Sequence, residues 1–447
     1  MENNTQLKEM IRSMVIDILQ GQKQEMASSQ PIKQAPRSQV EPGVFDTVDE
    51  AIQAAKAAQA RFEDCTLATR EKVIADIRAA MRPRVQELAQ KTVDETGMGR
   101  VADKVIKLNL TLDKTPGVED LVTECETGDN GMTLYELSAY GVIGAVTPST
   151  NPAETLICNT IGMLAAGNAV FFSVHPGAKH LSRLLVSELN QIIAKSIGIE
   201  NLIVTLREPS IESAQEMMLH PDVSLLVVTG GPGVVKQALQ SGKKVIGAGA
   251  GNPPAFVDET ADIKKAAQDI VLGASLDNNI LCIAEKSVVA MRQIEPQLVQ
   301  EMVKAGCVLL ENQQDIQRLV DLTVLPNGTP NKKFVGKNAS VILDAAHIPY
   351  NGDPRLIIMR APKNHPFAVI EMLMPILPVV TVDSFDEGLD VCLMLEAGLH
   401  HTATMHSLNM ERLNRMARKM KTSIFVKNGP SYAGLGFSGE GTTTFTI

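Results

Sequence analysis

The feature that most constrains this chain is an alternation of short apolar runs with helical stretches after residue 138. The apolar runs are YGVIGAVTP, NAVFFSVHP, NLIVTL and VSLLVVTGG. Between them, apolar residues recur at the spacing of a helix with one buried face. Strands that alternate with helices predict a parallel sheet covered on both faces, and such sheets bind ligands at the carboxyl ends of their strands. The sequence therefore predicts an α/β fold.

A second α/β region is predicted from about residue 252 to the end. Its strand candidates are SVVA, AVIEML, PVVTV and SIFVK. Helical patterns dominate residues 48–115. Residues 121–139 hold a Gly-Asp-Asn-Gly turn between two possible strands, which predicts a protruding hairpin. A chain of 447 residues has room for two or three such units.

Residues 1–21 are predicted to form a short amphipathic helix, followed by a flexible linker over residues 22–43. Apolar residues recur at helical spacing from Leu7 to Leu19, whereas the linker is rich in Gln, Ser and Pro. Such a helix either folds back onto its own domain or docks onto another protein. Because a tethered apolar stripe has no core of its own to cover, we favour a docking helix.

The composition excludes several classes of protein. A net charge of -9 argues against a broad basic surface for nucleic acid. No apolar run reaches the roughly 18 residues that a membrane-spanning helix needs, and the N-terminus lacks the apolar core of a secretory signal. The six cysteines show no paired spacing, so we expect neither disulfides nor a metal site, and a reducing cytosol fits best.

Two motifs point to a nucleotide. Gly230 and Gly231 lie in VTGGPG, which follows a buried strand and opens a helix, where free N–H groups suit a dinucleotide phosphate. His175 comes at the tip of another strand, just before Pro176, where it can contact a ribose or a phosphate. Both features also occur for purely structural reasons, so they leave the interpretation open.

Cys282 is the candidate nucleophile. It lies in ASLDNNILCIAEK, a short apolar stretch after a polar turn. A buried cysteine is usually only a small hydrophobic residue. It becomes a nucleophile where neighbouring donors favour the thiolate. The residues alone leave both interpretations open.

A longer pattern contains all of these motifs. From about Val44 to the end, its segments are DETGMGRVADK, TPSTNP, HPGAK, LLVVTGG, GAGAGNPPAFVDETADI, GASLDNNILCIAEK, HPFAVIEMLMPILPVV, GLHHTATMHS and SIFVKNGPSYAGLGFSGEG. In this order and at these separations they resemble the aldehyde dehydrogenase superfamily. Within it, they resemble the CoA-acylating branch of bacterial microcompartments, the ethanolamine and propanediol utilisation type. The resemblance implies a Rossmann-type NAD-binding domain over residues 44–120 and 140–250, an oligomerisation hairpin over 121–139 and an α/β catalytic domain over 251–447.

The resemblance also implies roles for single residues. Cys282 matches the catalytic thiol that attacks the aldehyde. The TPSTNP loop matches the oxyanion position, where Thr150 or Asn151 supplies a side-chain donor and the Cys282 backbone N–H a second one. His175 replaces a Lys of many hydrolytic members, and Glu371 matches the carboxylate that holds the nicotinamide ribose. The residues expected at the NAD site are Thr147, His175, Pro176, Thr229, Gly230, Gly231, Gly249 and Glu371.

One departure from the family pattern bears on the reaction. Hydrolytic members carry a Glu-Leu-Gly-Gly motif whose Glu activates water, and this chain has Ala248–Gly251 there instead. Without that carboxylate, the acyl group is expected to leave on CoA. A hydrolytic dehydrogenase would keep a Glu near residue 248, and a packing protein without activity would not need Cys282 and Glu371. The residues do not identify the group that deprotonates Cys282 or CoA.

The remaining expectations concern partners and specificity. The TGMGRVADK and SIFVKNGP segments favour acetaldehyde slightly over propionaldehyde. Many NAD-specific members carry a ribose-binding Glu near the position of Ala178, and we expect NAD rather than NADP only as a preference. Family members usually continue beyond the TTTFTI end by a tail that completes an oligomer interface, and we expect a homo-oligomer. Residues 1–21 are expected to bind shell or core proteins of a microcompartment in the bacterial cytoplasm.

Overall fold

The protein is represented by a computed structural model, which describes residues 41–447. The predicted helix over residues 1–21 and most of the predicted linker, residues 22–40, lie outside the described residues. Gly43 already belongs to the fold, because its carbonyl oxygen accepts a hydrogen bond from Thr205 N at 2.9 Å. The prediction that the linker extends to residue 43 is therefore wrong at its end, because the backbone there is already paired.

Fifteen strands form three sheets in the described part of the chain. Their bounds are β1 Val44–Phe45, β2 Glu124–Gly128, β3 Gly131–Tyr135, β4 Val142–Thr147, β5 Ala169–Val174, β6 Ile203–Leu206, β7 Val223–Thr229, β8 Lys244–Ala248, β9 Pro254–Val257, β10 Ser287–Met291, β11 Cys307–Leu310, β12 Leu356–Arg360, β13 Ile376–Val382, β14 Thr402–His406 and β15 Ile424–Lys427. The first large sheet has the order β1-β6-β5-β4-β7-β8, and the second has the order β11-β12-β13-β10-β9-β14-β15. Both are parallel throughout, which confirms the predicted α/β class.

Helices cover both large sheets. Their bounds are α1 Val48–Glu63, α2 Leu67–Met81, α3 Val85–Thr96, α4 Val101–Lys114, α5 Pro152–Ala165, α6 Lys179–Ile197, α7 Ile211–Leu219, α8 Pro232–Gln240, α9 Ile263–Ser275, α10 Glu295–Lys304, α11 Gln313–Thr323, α12 Ala339–Ala345, α13 Pro366–Val369, α14 Phe385–Glu396 and α15 Met410–Met420. Each large sheet carries its own apolar core. Among the helices that the structure describes, none is long and apolar enough to cross a membrane.

The apolar runs became strands because both of their faces are covered. All six residues of β5 are buried, as expected for a central strand of a parallel sheet. The predicted strands in SVVA, PVVTV and SIFVK are confirmed as β10, β13 and β15. The fourth, AVIEML, is wrong: its first residues end the short helix α13, which Pro366 opens, and Leu373 has a left-handed backbone with φ of 52°. Short apolar runs do not distinguish a strand from a buried irregular segment.

The segment predicted to be a hairpin contains an antiparallel pair. Strands β2 and β3 pair from Glu124 with Tyr135 to Gly128 with Gly131, and every residue of both strands is exposed. Gly131 has φ of 125°, which L-residues rarely adopt. The roles assigned above to this hairpin and to the two α/β regions remain predictions.

The two large sheets meet at opposite strand ends. Strands β4, β7 and β8 of the first sheet end at Thr147, Thr229 and Ala248, whereas Cys282 comes shortly before β10 of the second sheet begins. The candidate residues therefore come from the carboxyl ends of the first sheet and the amino ends of the second.

Candidate active site

The loop before Cys282 is an unusual backbone turn. Asp277, Asn278 and Asn279 are consecutive residues with φ of 50°, 57° and 67°. Asp and Asn tolerate this left-handed region better than other side chains because they bond locally to the backbone. Each Asn is also tied down: Asn278 Nδ2 donates to Gly336 O at 2.8 Å and Asn279 Nδ2 to Ala274 O at 2.7 Å. The polar DNN turn thus fixes the path of the chain into the candidate nucleophile.

The buried ammonium group of Lys286 holds this loop by hydrogen bonds. Lys286 Nζ donates to Asn279 O at 2.8 Å, to Asn279 Oδ1 at 2.6 Å and to Leu281 O at 2.9 Å. These three bonds use all three N–H groups of the lysine. Its positive charge favours the thiolate of Cys282. No pattern in the sequence singles out this lysine, although it lies four residues after the cysteine in the same motif.

The thiol of Cys282 is partly accessible but strongly perturbed. Burial, together with the negative charge of Glu371, raises its pKa to about 12, although Lys286 and the backbone N–H groups of Cys282 and Ile283 oppose the shift. The neutral thiol therefore predominates at neutral pH. A base must take its proton when it attacks a carbonyl carbon.

Glu371 faces the thiol from the irregular segment that follows α13. Its Oε1 accepts a hydrogen bond from Gly251 N at 3.1 Å. Burial raises the pKa of this carboxyl, and the charge of Lys286 opposes that shift. The structure thus places Glu371 close enough to Cys282 for its charge to act on the thiol, while its expected contact with the nicotinamide ribose stays a prediction.

His401 completes this group, although no sequence pattern points to it as a site residue. Its Nδ1 lies 2.9 Å from Thr402 Oγ1, and its Nε2 is buried without a hydrogen-bond partner in the part of the chain that the structure describes. Burial, with the charge of Lys286, lowers the pKa of His401 to about 4, so the imidazole is neutral at pH 7. A Cβ on Gly251 would lie 2.7 Å from Cys282 O and 2.9 Å from His401 Cγ. Only glycine lets these parts approach.

The TPSTNP loop lies at the start of α5. Asn151 is buried, and its Oδ1 accepts a hydrogen bond from Lys107 Nζ at 2.5 Å. Its Nδ2 donates to Thr150 Oγ1 at 3.3 Å. Thr150 is partly exposed, and its carbonyl oxygen accepts from Lys104 Nζ at 3.3 Å. Both candidate donors therefore belong to one hydrogen-bonded network.

Two lysines of α4 link that loop to the cysteine loop. Lys104 Nζ lies 3.0 Å and Lys107 Nζ 2.5 Å from the same oxygen, Asp277 Oδ2, and all three side chains are buried. Lys107 also lies 2.9 Å from Glu154 Oε1. Two lysines three residues apart on the apolar face of a helix are the sequence signal that could have revealed this cluster.

Apart from Glu371, the residues expected at the NAD site follow or end strands at the carboxyl end of the first sheet. Thr147 ends β4, and its buried hydroxyl has no hydrogen-bond partner among the residues described. A Cβ on Gly230 would lie 2.7 Å from Val234 Cγ1, whereas one on Gly231 or Gly249 would meet open space. The strand-to-helix turn is thus closely packed at Gly230 and open at Gly231, and the open part leaves room for a bound phosphate.

The outer residues of the expected NAD site have contacts within their own chain. His175 and Pro176 are exposed, and His175 Nδ1 accepts from Gly177 N at 3.0 Å, which caps the turn before α6. Although the residue is partly open to solvent, the protein atoms around its ring desolvate it and, with the charge of Lys332, lower the pKa of His175, which favours the neutral ring. Thr229 Oγ1 lies 2.8 Å from Thr446 Oγ1, so the C-terminal segment passes beside the glycine turn.

Comparison with known proteins explains this arrangement. Residues 18–444 match the aldehyde dehydrogenase family. The chain belongs to this family. Its relatives include the CoA-propanoylating propanal dehydrogenase of Salmonella typhimurium, which is 52% identical over 91% of this chain and 87% of its own length. The acetylating acetaldehyde dehydrogenase of the same bacterium is 46% identical over 91% of this chain and 88% of its own. The resemblance to the CoA-acylating branch is confirmed.

Solved structures of other family members have the same fold. A propionaldehyde dehydrogenase of Rhodopseudomonas palustris, with bound CoA and an acylated cysteine, has a TM-score of 0.89 at 48% identity over 91% of this chain and 93% of its own. The propionaldehyde dehydrogenase from the fucose utilisation microcompartment of Clostridium phytofermentans has a TM-score of 0.89 at 46% identity with the same coverage. An engineered glycolyl-CoA reductase with bound NADP+ also has a TM-score of 0.89, at 48% identity over 92% and 93% of the two chains.

The charge of Lys286 is expected to lower the pKa of the Cys282 thiol. Replacing Lys286 with methionine should raise the pKa of Cys282, because the cation that opposes burial and the Glu371 carboxylate is lost. Burial lowers the pKa of Lys286 to about 8, so alkylation by iodoacetamide is measured at pH 7, where the ammonium is still charged. The rate should then fall by about tenfold for each unit by which the pKa of Cys282 rises. The exposed Lys264 provides the matched control, and Lys264→Met should alkylate at the wild-type rate. An unchanged rate in Lys286→Met, with an unchanged Tm, would contradict the prediction.

Proposed function

We propose that this family member oxidises a short aldehyde with NAD and CoA to the acyl-CoA and NADH. The observation that carries the proposal is the grouping of Cys282 with Glu371, Lys286 and His401, with no carboxylate in Ala248–Gly251. The CoA-acylating activity of the relatives named above supports it. Cys282 attacks the aldehyde carbon, and its thiol proton passes to a base. The resulting tetrahedral adduct carries an oxyanion, which the Cys282 N–H and the TPSTNP loop stabilise.

The residues of the expected NAD site fit that cofactor. Oxidation of the adduct leaves a thioester on Cys282, and NAD, when bound, would supply the acceptor for the hydride. The hydroxyl of Thr147, which has no hydrogen-bond partner among the described residues, and the open glycine turn at Gly230 and Gly231 would bind and orient the cofactor, and Glu371 would accept from a ribose hydroxyl. Ala178 is buried and offers no carboxylate that would repel the 2′-phosphate of NADP. The use of NAD rather than NADP is therefore a proposal that rests on the other residues of the site.

CoA then removes the acyl group. The CoA thiol attacks the thioester carbon, the acyl group moves to CoA, and the thiol of Cys282 is restored. His401 suits the proton transfer in this step, because its ring is neutral and its Nε2 is free within the described part of the chain. Water takes no part in this transfer, so the acyl group leaves as acyl-CoA.

The substrate that we propose is propionaldehyde, with acetaldehyde as the second choice. The sequence favoured acetaldehyde slightly, but the propanal dehydrogenase shares 52% identity with this chain against 46% for the acetaldehyde dehydrogenase. We expect kcat/KM for propionaldehyde to exceed that for acetaldehyde by about tenfold, since one methylene in an apolar pocket contributes about 1–3 kcal/mol. NADH absorbance gives the rates, and mass spectrometry identifies the acyl-CoA. A higher kcat/KM for acetaldehyde would reverse the assignment.

We also propose that residues 1–21 recruit the enzyme into a bacterial microcompartment. A solved relative comes from such a compartment, and the apolar stripe of these residues needs a partner to cover it. Deleting residues 1–21 should leave kcat unchanged and abolish co-localisation with shell proteins. Replacing Ile11, Val15 and Ile18 with Glu should have the same effect. A truncated enzyme that still co-localises with the shell would rule out this role.

The exposed hairpin supports a homo-oligomer. Met132, Leu134 and Leu137 are more than half exposed on or beside it, although large apolar side chains are usually covered. We propose that a second copy of this chain covers them. Light scattering coupled to size-exclusion chromatography tests this, and Met132→Glu with Leu134→Glu should give a smaller species.

A further inference from the structure

Lys107 determines how the amide of Asn151 is oriented. Three oxygens surround its Nζ: Glu154 Oε1 at 2.9 Å, Asp277 Oδ2 at 2.5 Å and Asn151 Oδ1 at 2.5 Å. An ammonium has three N–H donors and no acceptor. The side chain of Asn151 must therefore present its carbonyl oxygen, and not its NH₂ group, to Lys107. The amide orientation, which is often ambiguous, is fixed here by charge.

The orientation of Asn151 in turn fixes the role of the Thr150 hydroxyl. With its oxygen bound to Lys107, Asn151 directs Nδ2 at Thr150 Oγ1, 3.3 Å away. An amide nitrogen only donates, so the hydroxyl oxygen of Thr150 accepts this bond. The hydroxyl proton of Thr150 is therefore left for another acceptor. Among these three hydrogen-bonded residues, Thr150 is the partly exposed one. The three groups form one directed series of donors that ends at Thr150.

The same cluster fixes this series relative to the nucleophile. Asp277 Oδ2 binds Lys104 and Lys107, while its Oδ1 accepts from Arg100 N at 2.8 Å. Asp277 is also the first of the three left-handed residues that lead to Cys282. Lys107 also lies 2.9 Å from the buried Glu154 Oε1, so each buried lysine of the cluster faces a buried carboxyl group. The donor loop and the cysteine loop are therefore anchored to one set of buried charges.

We propose that the Thr150 hydroxyl is the side-chain donor to the oxyanion formed on Cys282, and that Asn151 and Lys107 are positioning residues that aim its proton. This inference rests on the proposed function, because it concerns the adduct of that reaction. The alternative donor is the Asn151 amide, acting directly on the oxyanion. The bond from Nδ2 to Thr150 and the burial of Asn151 oppose that alternative.

The series of donors makes an unusual prediction for Asn151. In Asn151→Asp, one carboxylate oxygen still binds Lys107, but the other now accepts from Thr150, so the hydroxyl proton turns away from the oxyanion. In Asn151→Ala, the hydroxyl of Thr150 stays free to donate. We therefore expect Asn151→Asp to slow hydride transfer about tenfold more than Asn151→Ala does. In a Thr150→Val background, this difference should disappear.

The experiment measures the first turnover of NADH formation with propionaldehyde and NAD in the full-length enzyme. Thr150→Val should slow this step about 10²–10³-fold, as removal of an oxyanion donor does elsewhere, and Thr150→Ser should restore most of the rate. Alkylation of Cys282 by iodoacetamide forms no oxyanion, so its rate should not change in Thr150→Val. That control, with the Tm, separates a lost donor from a damaged fold.

Two results would overturn the inference. If Thr150→Val stays within threefold of the wild-type rate while Asn151→Ala loses 10²-fold, the Asn151 amide is the donor. If Asn151→Asp and Asn151→Ala are equally slow, the proton of Thr150 is not directed by Asn151. A wild-type enzyme that forms no acyl-CoA would instead refute the proposed function, so the two failures are distinguishable.

Discussion

Cys282→Ala should abolish NADH formation and leave the fold intact. Oxidation proceeds through a covalent adduct on this sulfur, so its removal eliminates the pathway itself, a loss of about 10⁴-fold or more. The side chain is small and partly exposed, so the loss of one sulfur atom should change the Tm little. The measurement is NADH absorbance with propionaldehyde, NAD and CoA, together with a thermal melt.

Two other cysteines serve as controls for this variant. Cys307 lies buried at the start of β11, at an edge of the second sheet, and Cys158 lies buried in α5, in the apolar cluster that also contacts Cys282. Cys307→Ala and Cys158→Ala should each keep turnover within about tenfold, which is about 1.4 kcal/mol in the barrier. Near-normal turnover in Cys282→Ala would show that the assigned nucleophile is wrong.

Without CoA, the enzyme should release about one NADH per active site and then nearly stop. After hydride transfer the acyl group remains on Cys282, and water is a poor nucleophile unless a positioned base assists it, which commonly contributes about 10²–10⁴-fold. A thiol ionises far more readily than water, with a pKa of roughly 8.5 against 15.7, so CoA needs less assistance. Adding CoA should restore steady turnover and yield acyl-CoA with little free acid.

Two variants sharpen this experiment. Ala248→Glu restores a carboxylate where hydrolytic members carry one, and it should raise the fraction of free acid modestly, because Ala248 is buried and the surroundings were not shaped for water. His401→Asn should keep the burst of one NADH and slow only the CoA-dependent steady state. Rapid NADH production without CoA, with free acid as the main product, would move this chain to the hydrolytic branch.

Local patterns were enough to predict most of the fold. Buried parallel strands need continuous apolar runs, and β5, β7, β10 and β13 all show them, so each is recognisable in isolation. The AVIEML run is similarly apolar, but it ends a helix and continues as irregular backbone. There, Glu371 accepts a hydrogen bond from Gly251 N. That contact joins residues 120 positions apart and leaves no periodicity in the sequence.

The sequence alone determined the class of fold, and its short motifs, through their family resemblance, predicted the roles of Cys282 and Glu371 and the lack of a water-activating Glu at Ala248. Only the tertiary structure decided what surrounds them. Lys107 and Asp277, 170 positions apart, pair because two loops converge on one helix, and this pairing fixes which way the amide of Asn151 points. His401 and Lys286 acquire their perturbed pKa values from burial. Burial and hydrogen-bond direction are properties of the assembled chain, so no local pattern contains them.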